Sequence, residues 1–75
     1  MTLKDVSIPE QKFVIRSHQG PKDLCERLNE LGFRKDSECE FVGRTPLKGP
    51  LLFKLGPMVM ALRENEADCL VVEAL

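Results

Sequence analysis

Histidine and cysteine are the residue types in this sequence that are best suited to nucleophilic catalysis or metal binding. The chain has one histidine, His18, and three cysteines, Cys25, Cys39 and Cys69. A catalytic nucleophile needs a base placed beside it, and the sequence has no recognisable Ser/His/Asp or Cys/His grouping. The spacing of these residues also matches no compact metal-ligand motif. We therefore predict no catalytic residue, no metal site and no bound cofactor.

The number and spacing of the cysteines indicate the compartment in which the protein works. Three is an odd number, and no two of the cysteines form a C-x-x-C pair, whereas a disulfide scaffold uses an even number. We therefore expect reduced thiols in a cytosolic protein. Cys39 alternates with Glu38 and Glu40 and shares a side with Phe41, which predicts a core position on a half-buried strand.

Two polar residues near predicted turns have simple structural explanations. His18 stands beside a break at residues 19–21, and we expect it to be a solvated surface residue. Arg63 precedes Glu64 and Glu66, which predicts a local surface ion pair worth about 0–1 kcal/mol.

Length and composition limit the size of the fold and the classes of ligand. With 75 residues, of which 43% are hydrophobic, the chain is expected to form one domain, residues 1–75, around one modest core. A formal net charge of −1, and four Phe without Trp or Tyr, argue against binding to nucleic acid. No segment approaches the ~20 apolar residues of a membrane span, so we expect a soluble protein.

Five short segments are expected to be strands. Two apolar runs, residues 51–55 and 58–62, are separated by a Gly56-Pro57 turn. The predicted strands are residues 12–17, 38–44, 51–55, 58–63 and 69–72, with a single helical turn at 64–67. The inner side of the third and fourth strands is predicted to carry Leu51, Phe53, Leu55, Met58, Met60 and Leu62. Such strands predict a mainly β fold that curls into a small barrel, with the last strand beside the first.

Sequence alternation does not settle which residues of the first strand face inward. Either Phe13 and Ile15 or Val14 can occupy the inner side.

One helix is predicted between the first two strands. Pro21 suits the first turn of a helix, and Leu24, Leu28 and Leu31 recur at helical spacing on one face. Gly32 follows in the position where a left-handed residue ends many helices. We expect this helix to cover one open end of the barrel.

The loop between the second and third strands is the best candidate for a recognition surface. It consists of Thr45, Pro46, Leu47, Lys48, Gly49 and Pro50. The two prolines stiffen it, Gly49 permits a tight bend, and Leu47 falls near its tip. Leu47 either points outward, where a rigid apolar residue lowers the entropy cost of docking, or folds back to cover the end of the barrel.

Four short motifs, taken in order, resemble the FeoA family of small ferrous iron transport accessory proteins. They are Arg27-Leu28-x-x-Leu31-Gly32, Thr45-Pro46-Leu47-x-Gly49-Pro50, Ala61-Leu62-Arg63-x-x-Glu66-Ala67 and Leu70-x-Val72. The family usually has Gly where this chain has Asp36, a residue that tolerates positive φ better than most. The resemblance implies an SH3-like barrel of five strands with one inserted helix.

The same resemblance implies a function without catalysis. FeoA proteins are cytoplasmic partners of the FeoB ferrous iron permease, whose cytosolic end carries a GTPase domain, and the family is not known as enzymes. We expect docking on the permease through the 45–50 loop and the adjoining strand surface, with contact to the membrane only through that partner. The alternative is a stand-alone regulatory domain, because metal-dependent repressors of the DtxR type carry a similar barrel. The oligomeric state stays open.

Overall fold

The computed structural model describes the whole chain, Met1–Leu75. Its elements are a 3₁₀ turn at Leu3–Asp5, β1 at Lys12–His18, α1 at Lys22–Leu31, β2 at Glu38–Arg44, β3 at Leu51–Leu55, β4 at Met58–Leu62, α2 at Glu64–Ala67 and β5 at Leu70–Ala74. The strands form one antiparallel sheet in the order β4-β3-β2-β1-β5. The predicted mainly β fold with an inserted helix is confirmed. Neither α1 nor α2 has the length and apolar character needed to cross a lipid bilayer.

Pairing of the first and last strands brings the two ends of the chain together. Ile15 of β1 lies opposite Val72 of β5, as predicted for the last strand. Cys69, expected within this strand, instead precedes it, and β5 continues to Ala74. Register shifts in the β1–β5 and β2–β3 pairs mark bulges, which increase the local twist of the strands.

Three phenylalanines form the centre of the core. Phe13, Phe33 and Phe53 are completely buried. Burial of Phe13 together with Ile15 shows that these two residues face the interior, although Val14 is also nearly covered. Phe33 is buried although the residues that follow it, Arg34, Lys35 and Asp36, are charged and would favour an exposed turn. Tertiary packing overrides that local signal.

Helix α1 ends as predicted, but its apolar face is buried only in part. Gly32 has φ of 116°, and a Cβ at this position would lie 2.8 Å from Leu55 Cδ2 of β3. Leu28 is fully buried, whereas Leu31, predicted on the same buried stripe, is 42% exposed. The chain turns inward immediately after Leu31, and the buried Phe33 supplies the apolar contact at this end of the helix.

Strand β4 is an edge strand whose inner face is buried only in part. Leu62 is buried and Met60 packs against the core, but Met58 is 53% exposed, contrary to the prediction of a common buried side. Met58 follows the Gly56-Pro57 turn, which carries the hairpin beyond the core. Gly56 has φ of 60°, as the first residue of a type II′ hairpin turn requires.

The strand register places the 45–50 loop at one end of the sheet. Arg44, Leu51 and Leu62 are in register across β2, β3 and β4. Helix α2 begins two residues after Leu62, so this helix and the loop lie side by side at the same end.

Candidate partner-binding loop

The 45–50 loop is closed by hydrogen bonds between its own residues. The backbone N–H of Thr45 donates to the Pro50 carbonyl at 3.0 Å, and the Thr45 hydroxyl donates to the same oxygen at 3.0 Å. The N–H of Gly49 donates to the carbonyls of Thr45 and Pro46 at 3.3 and 3.2 Å. Together with the fixed φ of two prolines, these bonds restrict the backbone conformations that are open to the loop.

The tip of the loop is a tight turn with an unusual backbone. Leu47 and Lys48 have φ of 61° and 56°, and the Gly49-to-Pro46 hydrogen bond closes a turn around them. Two successive positive φ values are typical of a type I′ turn, in which Gly, Asn and Asp are preferred. Left-handed backbone costs an ordinary residue roughly 1–2 kcal/mol. Backbone strain of this kind clusters at functional sites.

Gly49 permits the tight bend through its missing side chain and not through its own backbone conformation. Its own φ is not positive, so the tight bend is made by Leu47 and Lys48 instead. A Cβ on Gly49 would collide with Thr45 Oγ1 and lie 3.2 Å from the Pro46 carbonyl oxygen. The absence of a side chain at Gly49 therefore allows the loop to close, in agreement with the prediction that this residue permits a tight bend.

Leu47 stands clear of the rest of the protein. Its side chain is 100% exposed, whereas every other large hydrophobic residue keeps some contact with the fold. Of the two orientations that the sequence allowed, the structure therefore shows the outward one. The turn holds an apolar side chain in water at a backbone conformation that costs free energy.

Basic residues surround one side of the loop. Lys48, Pro50, Arg63 and Glu64 line a shallow hollow of about 310 Å³. Glu64 forms a salt bridge with Arg44 at 3.7 Å, whereas Lys48 and Arg63 form none.

The predicted local ion pair of Arg63 is wrong. The Glu66 carboxylate instead accepts the backbone N–H of Arg63 at 2.8 Å, capping the start of α2, and Glu64 reaches across to β2. Both nearby carboxylates are therefore occupied elsewhere, and the guanidinium of Arg63 remains free.

His18 has a more specific structural role than a solvated residue. It is half-buried at the end of β1, and Nε2 lies 2.7 Å from the Phe33 carbonyl oxygen. A hydrogen bond to a carbonyl requires the proton on Nε2. His18 thereby fixes the turn after α1 to the sheet.

The structure brings two of the three free thiols together. Cys39 and Cys69 are buried, and Cys25 is half-buried beside Cys69. Burial raises the pKa of Cys39 to about 11. The pKa of Cys69 is also raised, mainly by burial and to a smaller extent by the neighbouring Cys25. Thiols with raised pKa values are poor nucleophiles and poor metal ligands. No three His, Cys, Asp or Glu side chains are grouped as they would be around a metal ion.

The five-stranded antiparallel sheet and the inserted helix form a small SH3-like domain. The family model described as the FeoA domain matches residues 1–74. The chain therefore belongs to the FeoA family, a family of SH3-like domains associated with ferrous iron transport, as the sequence motifs indicated.

Solved structures of similar proteins support the same assignment. Iron(II) transport protein A from Clostridium thermocellum is 32% identical with a TM-score of 0.90; the match covers 100% of this chain but only 46% of that one. The FeoA protein of Stenotrophomonas maltophilia, solved with zinc and described as a prokaryotic SH3 domain protein, is 38% identical with a TM-score of 0.81. There the match covers 97% of this chain and 89% of the relative. No curated protein matches the sequence.

The fold is also shared with domains of metal-dependent regulators. The transcriptional regulator MtsR has a TM-score of 0.84 and 20% identity, and the match covers 100% of this chain and 36% of that one. At this identity the similarity concerns the fold alone.

Proposed function

We propose that this protein is a non-catalytic, cytoplasmic accessory protein of bacterial ferrous iron uptake. It binds the cytosolic part of the FeoB permease through the 45–50 loop and the adjoining strand surface, and modulates iron transport or GTP turnover. Membership of the FeoA family supports the pathway. Cys39 and Cys69 are buried and His18 is hydrogen-bonded to a backbone carbonyl, which favours a role in recognition over catalysis.

The fully exposed Leu47 is the observation that carries this proposal. Burying a leucine side chain releases about 1.5–3 kcal/mol. The hydrogen bonds of the loop hold the backbone of Leu47 in position before docking, so little backbone entropy is lost on binding. The Leu47 side chain makes no apolar contact within its own fold, and the backbone that carries it is already ordered. Such a residue is suited to a pocket on a partner.

Replacing Leu47 with aspartate tests the loop assignment. We expect Leu47→Asp to weaken binding to the purified cytosolic part of FeoB by about 10-fold or more, because the apolar contact is lost and a charge enters the pocket. Affinity is measured by isothermal titration calorimetry. Unchanged affinity of the variant would reject the loop as the docking site.

Leu75→Asp is the matched control. Leu75 is also an exposed leucine, at 65%, and its N–H donates to the carbonyl of Lys12. Lys12 is in register with Glu40 and Lys54, near the opposite end of the sheet from the loop. This variant introduces the same charge at a distant site, and we expect its affinity to equal that of the wild type.

A second candidate function is a stand-alone regulatory domain similar to that of DtxR-type repressors. The shared fold with MtsR favours it. A pull-down from cytosol and membranes distinguishes the two, because the first function predicts capture of the permease and the second predicts capture of a DNA-binding regulator.

A further inference from the structure

We propose that the partner site for the 45–50 loop is an apolar pocket with an acidic rim, and that Lys48 and Arg63 pair with carboxylates on that rim. This inference rests on the proposed function and defines the chemistry of the partner surface. On this protein, Leu47 supplies the apolar contact. Lys48 and Arg63, here named the cationic rim, supply specificity.

The fold brings the two residues of the cationic rim together. Lys48 and Arg63 are distant in sequence, but the Leu51–Leu62 pair of β3 and β4 places Pro50 beside Arg63. As a result, Lys48 and Arg63 line the same hollow next to the turn that carries Leu47. One docking event can therefore engage the leucine and both cations.

The charge of the hollow is not balanced within the protein. Glu64 is its only acidic lining residue, and Glu64 already pairs with Arg44 at 3.7 Å. Neither Lys48 nor Arg63 takes part in a salt bridge. The whole chain has a formal charge of −1, so the positive charge of this hollow is a local feature and does not reflect a basic protein. Complementary carboxylates would speed association and fix the orientation of docking.

A carboxylate-rimmed protein site fits these observations better than a phosphate or a lipid surface. A free phosphate would pair with the two cations but leave the exposed Leu47 in water, whereas an apolar pocket with a carboxylate rim covers the leucine and pairs with both cations. A single myristoyl chain gives only marginal membrane binding, and one leucine offers much less apolar surface. Leu47 is therefore too small to anchor the protein in a bilayer.

Charge reversal combined with salt dependence tests the proposal. Affinity for the cytosolic part of FeoB is measured at about 50 and about 300 mM NaCl for the wild type, Lys48→Glu and Arg63→Glu. We expect each reversal to weaken binding about 5- to 10-fold at low salt and to reduce the salt dependence seen for the wild type. Arg63→Gln, which keeps the backbone N–H that Glu66 accepts, should show a smaller loss in the same direction.

Lys35→Glu is the matched control for charge. Lys35 is exposed in the turn before β2 and forms no salt bridge, so its reversal changes the net charge by the same amount far from the loop. We expect less than about a twofold change, because screening limits the effect of distant charges. Loss of affinity equal to that of Lys48→Glu would mean that net charge, rather than the cationic rim, controls binding.

The possible failures are distinguishable. Binding that depends on Leu47 but is unaffected by Lys48→Glu, Arg63→Glu and salt overturns the acidic rim and leaves the proposed function intact. No binding of the wild-type protein to FeoB overturns both. Sedimentation with vesicles of phosphatidylglycerol and phosphatidylcholine, if it depends on Leu47 and the cationic rim, overturns the protein site in favour of a lipid surface.

Discussion

Replacing Leu47 with asparagine should stabilise the protein while removing its docking residue. Leu47 is 100% exposed and has φ of 61°, so the substitution removes no buried contact. Asparagine is several-fold enriched in left-handed backbone and is a preferred residue of type I′ turns. Leu47→Asn should recover part of the roughly 1–2 kcal/mol cost of that conformation. We expect the free energy of unfolding to rise by about 0.5–1 kcal/mol.

Thermal and denaturant unfolding measure this effect without any partner. In a domain of this size, 1 kcal/mol shifts Tm by about 4–8 °C, so a rise of about 2–8 °C is expected. Leu47→Ala is the control, because alanine also lacks the leucine side chain but keeps the backbone cost; its Tm should stay close to that of the wild type. In the FeoB binding assay, both variants should lose about 10-fold or more in affinity.

A fall in Tm would refute the reasoning. If Leu47→Asn and Leu47→Ala both unfold more than about 4 °C below the wild type, the leucine is packed against the fold rather than held in water. The orientation that covers the end of the barrel would then be the correct one, and Leu47 would no longer be available for docking.

Two further predictions concern the helix end and the buried thiol. Gly32→Ala should lower the free energy of unfolding by about 2 kcal/mol, because φ of 116° is strained for alanine and its Cβ would meet Leu55 Cδ2. Gly43→Ala is the control, because a Cβ at Gly43 meets nothing within 4 Å, and it should change the free energy of unfolding by less than about 0.5 kcal/mol. Urea titrations measure both values. An equal effect of the two substitutions would contradict this. The pKa of Cys39 rises from 9.0 to about 11 on folding, so the folded state keeps a proton that the unfolded chain releases above pH 9. The contribution of the neutral Cys39 thiol to the free energy of unfolding is complete below pH 9. It is lost as the pH rises towards 11, by up to about 2–3 kcal/mol. Between pH 9 and 11 the free energy of unfolding should fall less steeply with pH in Cys39→Ala than in the wild type. Identical slopes would show that the buried thiol of Cys39 does not cause this pH dependence.

Local sequence patterns predicted most of the secondary structure. The bounds of β2, β3 and α2 agree with the predicted segments 38–44, 51–55 and 64–67. Alternation, a Gly-Pro turn and a short polar segment specify these elements without help from the rest of the chain. Asp36 at φ of 70° likewise fulfils the prediction that this residue tolerates left-handed backbone.

Features that depend on distant contacts were not readable from the sequence. Phe33 lies among charged neighbours yet fills the core, because Gly32 turns the chain inward there. Leu47 and Lys48 are not residues that favour positive φ, so no residue type marked the left-handed backbone at the loop tip. The cationic rim depends on the pairing of β3 with β4, which brings Arg63 to the loop. Spacing along the chain carries none of this information.

A chemical-shift map of the protein bound to its partner tests the central claim most directly. Unlabelled cytosolic FeoB is added to the ¹⁵N-labelled protein, and backbone amide signals are compared before and after. The account predicts the largest shifts or broadening at Leu47, Lys48 and Gly49, with smaller changes at Arg63. Changes confined to α1 or β5, with the loop signals unmoved, would contradict it.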